Sequence, residues 1–184
     1  MAADPDGVAR EVAEQVLAAP PTLGRGRLVC IDGPAGSGKT TLAEAVARIV
    51  PGTDIVHCDE LLEGWGGLPG LAATVQSLLT PLAADRPGEW RRWDWLADGW
   101  AETHVVRPGG LLVLEGVGCW SPAIAGLVGH LVWVEADSGL RLARGIARDG
   151  EAMRPQWEQW RHDEDALFAR LGTRDHADLV VTTG

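Results

Sequence analysis

Gly33-Pro34-Ala35-Gly36-Ser37-Gly38-Lys39-Thr40 is the stretch that decides how this chain reads. It is a glycine, four further residues, then Gly-Lys-Thr, without a gap. Glycines at those places let the backbone turn tightly and aim successive N–H groups at one point. An apolar run, Arg27 to Asp32 (RLVCID), precedes the motif and reads as a buried strand. A helical run, Thr40 to Val50, follows it and stops at Pro51-Gly52.

Strand, glycine loop and helix in that order make a cradle for phosphate, because the helix adds its positive N-terminal end to the loop amides. Gly33, Ala35, Gly36, Ser37, Gly38, Lys39, Thr40 and Thr41 are the residues expected around the ligand. Lys39 supplies a compact charge for the β and γ phosphates, and Thr40 a hydroxyl for Mg²⁺. ATP with Mg²⁺ is the expected cofactor pair. Lys39 is also the single lysine of the chain, against fifteen arginines. It sits where a point charge serves better than a broad guanidinium.

Working outward, Val8, Val12, Val16 and Leu17 recur at helical spacing, in a helix that must end before Pro20. Asp54 to Cys58 (DIVHC), Leu111 to Leu114 (LLVL), Leu131 to Val134 (LVWV) and Asp178 to Val181 (DLVV) read as short strands. Leu71, Val75, Leu78, Leu79 and Leu82 form an amphipathic helix; Leu140 to Arg148 and Pro155 to Leu171 form two more. Five apolar strands alternating with helices imply an α/β fold with a parallel sheet covered on both faces. A single domain, residues 1–184, is expected. Pro87 to His104 is rich in tryptophan and lacks clear periodicity, so the region at about 85–105 reads as an insertion on the acceptor side.

Open α/β sheets bind ligands beyond the carboxyl ends of their strands. The second strand runs into Asp59-Glu60, and LLVL runs into Glu115-Gly116. Asp59 is the candidate base for an attacking hydroxyl, with Glu60 a weaker neighbour. Glu115 is the candidate metal acid, holding Mg²⁺ directly or through water. Both carboxylates are also placed on the acceptor side. A helix N-cap or a solvated strand-end acid is the bland alternative for each.

Arg141, Arg144 and Arg148, at i, i+3 and i+7, share one helix face, with Asp149-Gly150 and Arg154 beyond. They suit an arginine lid at about 141–155, with Arg144 and Arg148 stabilising transferring charge; an ordinary basic face is the alternative. Nine tryptophans and no tyrosine are unusual. Trp90, Trp93, Trp95 and Trp100 cluster with Arg91, Arg92, Asp94 and Asp98, and Trp93 and Asp94 are candidates to hold a flat acceptor and its hydroxyls. Plain packing of this segment against the core is the alternative. Trp157 and Trp160, with Leu167, Phe168 and Leu171, read as core.

The net charge of −10 argues against nucleic acid as a partner. No apolar run approaches the length of a membrane span and the start lacks a signal-peptide pattern, so a cytoplasmic protein, a monomer or homodimer, is expected. Cys30, Cys58 and Cys119 are too scattered for a zinc site or a disulfide framework and read as buried thiols.

Together these residues resemble the uridine kinase and phosphoribulokinase branch of the P-loop kinases. The resemblance runs from Arg27 to Val181. It is strongest at DGPAGSGKTTLA (Asp32 to Ala43) and extends to VHCDEL (Val56 to Leu61), LLVLEG (Leu111 to Gly116), RLARGIARD (Arg141 to Asp149) and HADLVV (His176 to Val181). It implies a three-layer P-loop NTPase fold with strand order 2-3-1-4-5. It also implies Mg-ATP-dependent phosphoryl transfer to a hydroxyl of a small molecule, with a nucleoside first and nucleotide, sugar or coenzyme precursor after it. The acceptor region is shorter than in uridine kinases and built on tryptophan rather than on tyrosine and phenylalanine. A nucleotide-dependent switch without a small-molecule acceptor is the competing reading; no NKxD or TKxD guanine-reading sequence supports it.

Overall fold

The computed structural model describes residues 4–184; the first three residues of the expected 1–184 domain lie outside them. Alternation along short apolar strands splits the core in two. In β1 (Arg27–Asp32), Leu28 and Cys30 belong to one hydrophobic cluster, and Val29 and Ile31 to the other. β5 (Leu111–Glu115) divides likewise: Leu112 and Leu114 join the first cluster, Leu111 and Val113 the second. Such strands have no solvent face, which is why they read as unbroken apolar runs.

Three more strands complete the sheet: β2 (Asp54–His57), β6 (His130–Ala136) and β7 (Leu179–Thr183). The order is β2-β5-β1-β6-β7, with every pairing parallel. Counting sheet strands alone, this is the expected 2-3-1-4-5. Glu115 pairs with Ile31 on one side and His57 on the other. The carboxyl ends of β1, β2 and β5 therefore open onto one edge.

α1 (Pro5–Ala18) and α2 (Lys39–Ile49) cover the second cluster. Asp4 caps α1 by accepting from the Asp6 and Gly7 amides. Ala9, Val12, Ala13 and Val16 are its buried stripe, while Leu17, expected on that face, is 48% exposed. α3 (Leu71–Ala83) covers the first cluster with Leu71, Leu78, Leu79 and Leu82, each 2% exposed or less. Burial of each such side chain is worth about 1.5–3 kcal/mol. α4 (Ser138–Asp149) and α5 (Arg154–Leu171) form a helical pair, and a short α6 (Thr173–His176) leads into β7.

The tryptophan-rich segment corrects the sequence reading. It is an antiparallel hairpin of β3 (Gly88–Asp94) and β4 (Gly99–Val106). Its alternation is broken by a register shift between Arg91 and Trp93, which moves burial from Trp90 to Trp93, three residues on. That shift hid the strand period. Trp90 and Val106 join the core above α3.

Candidate functional site

The glycine loop is held open by side chains that bind its carbonyls. Lys39 Nζ donates to Pro34 O at 2.9 Å and Arg141 Nη1 to Ala35 O at 3.3 Å. Arg144 Nη1 donates to Gly36 O at 3.0 Å, and Thr183 Oγ1 to Ser37 O at 2.7 Å. Four consecutive carbonyls are thus occupied. Among the described residues, the Gly36, Gly38, Lys39, Thr40 and Thr41 amides have no protein acceptor, and no side chain caps α2. Free amides at an uncapped helix start are what an anion requires. Ser37 Oγ is buried and also unpartnered.

Glycine is needed at two of these places for steric reasons. Gly33 has φ +137° and its Cβ would lie 2.1 Å from Val134 O; at Gly36, φ is +77° and a Cβ would meet Arg141 O at 2.8 Å. Below the loop, Asp32 is fully buried and accepts from the Gly33, Gly118 and Trp120 amides at 2.7, 2.8 and 3.0 Å. It ties the end of β1 to the turn after β5. Burial pushes its pKa up to about 6, against the lowering effect of those amides and of Lys39. Sequence reading missed this role; an acid directly before the glycine motif was the available signal.

Glu115 ends β5 almost buried, 5% exposed. Its Oε1 accepts from Thr40 Oγ1 at 3.0 Å and lies 2.6 Å from His57 Nδ1. The carboxylate raises the pKa of His57, while burial acts the other way. His57 was not among the sequence candidates. Asp59 is the second residue of the short turn Cys58–Leu61 after β2 and keeps access to solvent at the mouth of the cleft. The protein atoms around its carboxyl displace part of its hydration, which raises its pKa, and Glu115 adds repulsion; His57 and Arg148 act in the opposite sense.

The structure brings Lys39, Thr40, Asp59 and Glu115 to one edge and distributes the other candidates differently. Arg144 bonds Gly36 O and also Gly184 O at 2.6 Å, so it braces the loop. Arg148 is close enough to Asp59 to feel its charge; it pairs with Asp149 at 2.7 Å and lies over the Trp157 ring at 5.5 Å. Trp93 is 7% exposed and packs edge-on against Trp100 at 5.1 Å. Asp94 Oδ1 accepts from the Leu96 and Ala97 amides and Oδ2 from Arg92 Nη2, which makes it the anchor of the hairpin turn. The indole facing the site is Trp95, whose Nε1 donates to Asp59 O at 3.1 Å. Trp65 bridges it to α5, edge-on to Trp95 at 5.6 Å, Trp157 at 6.0 Å and Trp160 at 5.9 Å.

Solved structures share this architecture. A protein described as a possible uridine kinase from Bacillus stearothermophilus superposes with a TM-score of 0.65 at 19% identity, over 94% of this chain and 96% of that one. A candidate fructose transport system kinase from Silicibacter sp. gives a TM-score of 0.67 at 18% identity, over 97% and 98%. The fold is that of the P-loop kinases. No family model and no curated protein matches the chain.

Within the P-loop kinase fold, the oxygen pair of Thr40 and Glu115 fits Mg²⁺, a hard cation that takes few protein oxygens and completes its shell with phosphate and water. Among the described residues no group of three or more His, Cys, Asp or Glu side chains could hold a metal by itself. Cys30, Cys58 and Cys119 are buried free thiols. No helix is long and apolar enough to cross a membrane among the described residues. A cavity of about 270 Å³ lies between Trp65 and the Pro155–Asp163 side of α5; it includes none of the loop residues or strand-end acids.

Proposed function

We propose that the protein transfers the terminal phosphoryl group of ATP to a hydroxyl of a small molecule, with a nucleoside as the acceptor class to test first. The observation that carries this reading is the meeting of the glycine loop with two acids of different character: Glu115 on the Thr40 hydroxyl, and Asp59 at the open end of β2.

The free amides of Gly36, Gly38, Lys39, Thr40 and Thr41, with the Lys39 side chain, hold the β and γ phosphates. Lys39 leaves Pro34 O for the phosphates when they arrive. Thr40 and Glu115 would hold Mg²⁺, directly or through water, and the ion would neutralise charge on the phosphate oxygens. Asp59 accepts the proton of the acceptor hydroxyl as its oxygen bonds to the γ phosphorus; the bond from that phosphorus to the bridging oxygen breaks and ADP leaves with the electron pair. Arg148, near Asp59 and on the lid, balances charge on the transferring group. Arg144 contributes through the loop carbonyl it binds. Trp95 flanks the acceptor beside Asp59, and Trp93 and Asp94 fix the hairpin that carries it.

The test is ADP release from Mg-ATP with panels of nucleosides, nucleotides and sugars. Acceptor-dependent release is expected from one panel. Release that no acceptor stimulates would overturn the kinase reading.

A further inference from the structure

The most deeply buried acid outside the strand ends is Glu164, on α5 with 0% exposure. It shares a stripe with Trp157 and Trp160, where a second apolar residue would be expected. Its two oxygens have separate tasks. Oε2 accepts from the Ala35 amide at 2.8 Å, and Oε1 from Arg141 Nη1 at 2.7 Å. Arg141 Nη1 in turn reaches Ala35 O at 3.3 Å. Both polar atoms of one loop residue are therefore held by one ion pair, with one partner on α4 and the other on α5. Arg141 itself is 7% exposed.

A buried ion pair is a costly way to obtain stability alone, since desolvation offsets the attraction. Its geometry does something an apolar pair could not: it fixes a peptide in the middle of a glycine-rich segment, where the backbone is otherwise free to turn.

We propose that Glu164, working with Arg141, is a positioning residue for the phosphate loop, holding Ala35 so that the amides from Gly36 onward converge on the nucleotide. The proposal rests on the reading of this loop as nucleotide-binding. It makes the packed pair of α4 and α5 part of the nucleotide site, since one side chain from each holds Ala35.

The experiment is calorimetry of Mg-ATP with wild type, Glu164→Gln, Arg141→Met and the double variant, alongside thermal melting and the acceptor KM. Glu164→Gln is expected to weaken Mg-ATP by about tenfold with the acceptor KM within about twofold. The double variant is expected to be no worse than the worse single one, because one unit has been removed. Variants that melt lower but bind Mg-ATP as wild type does would reduce the pair to a structural role and overturn the proposal. Wild type that ignores Mg-ATP would instead sink the loop reading beneath it. If the variants fail to fold, amide exchange in the unliganded wild type decides: Ala35 is expected to exchange more slowly than Gly36, and equal rates overturn the proposal.

Discussion

Thr40 Oγ1 and Glu115 Oε1 are 3.0 Å apart, so the last residue of the glycine motif and the acid at the end of β5 are hydrogen-bonded. Seventy-five positions separate them in sequence. The contact exists because β1 and β5 are neighbours in parallel register, with Ile31 beside Glu115. Under the proposed function this oxygen pair would hold Mg²⁺, with Glu115 acting directly or through water.

Glu115→Gln keeps the acceptor for Thr40 and removes the charge. The Mg²⁺ concentration giving half-maximal ATP turnover is expected to rise about 10- to 100-fold, measured by titrating Mg²⁺ at fixed ATP. An unchanged requirement would remove Glu115 from the metal site.

Asp59→Asn is expected to cut kcat by about 10²- to 10⁴-fold, as loss of a general base does, and to leave Mg-ATP affinity in calorimetry nearly unchanged. Because the Asp59 pKa is raised, the acid limb of kcat/KM in the wild type should have its midpoint above the ordinary aspartate value. Equal turnover by the variant would release Asp59 from its assigned role.

The sheet was readable because its strands are buried on both faces, so RLVCID and LLVLE stand out as apolar runs. Their order was not readable from periodicity, which says nothing about neighbours; it came with the resemblance. The hairpin was hidden because the register shift at Arg91 to Trp93 breaks the two-residue repeat. Asp94 was legible in hindsight: an aspartate two and three residues before turn amides is a turn anchor by its own local geometry. Glu164 could not be found from sequence, since its partner Ala35 lies 129 residues away. Arg141 and Arg144 showed their shared face, but not that the face rests on loop carbonyls.

Asp32 sets a pH dependence of stability with a definite sign. Its folded pKa is about 6 against an ordinary 3.8, so the folded chain holds the extra proton between those values. Stability from this group is full below the ordinary value and falls as pH rises through about 6, by something of order 3 kcal/mol. Glu102, whose pKa is lowered to about 2 by Arg92, acts in the opposite sense at more acid pH. Asp32→Asn keeps an oxygen for Gly33 and Gly118 and faces Trp120 N–H with a donor. Urea unfolding from pH 4 to 7 should show the wild-type-minus-variant difference shrinking as pH rises. A pH-independent difference would show that the carboxyl does not titrate in that range.

Gly145 tests the packing of α4 on α5. It lies inside α4, where alanine would ordinarily favour the helix by about 1 kcal/mol. A Cβ there, however, would fall 2.6 to 2.8 Å from three ring atoms of Trp157. That indole is 3% exposed, donates to Asp149 Oδ2 at 2.9 Å and carries Arg148 over its face, so it has little room to retreat. Gly145→Ala is therefore expected to destabilise by about 1–3 kcal/mol, with a lower melting temperature. Trp157→Leu should remove most of that penalty in the double variant, since the ring atoms in the way are gone; the double-mutant cycle reads the contact directly. A stabilising Gly145→Ala would mean that α4 and α5 are not packed through this ring.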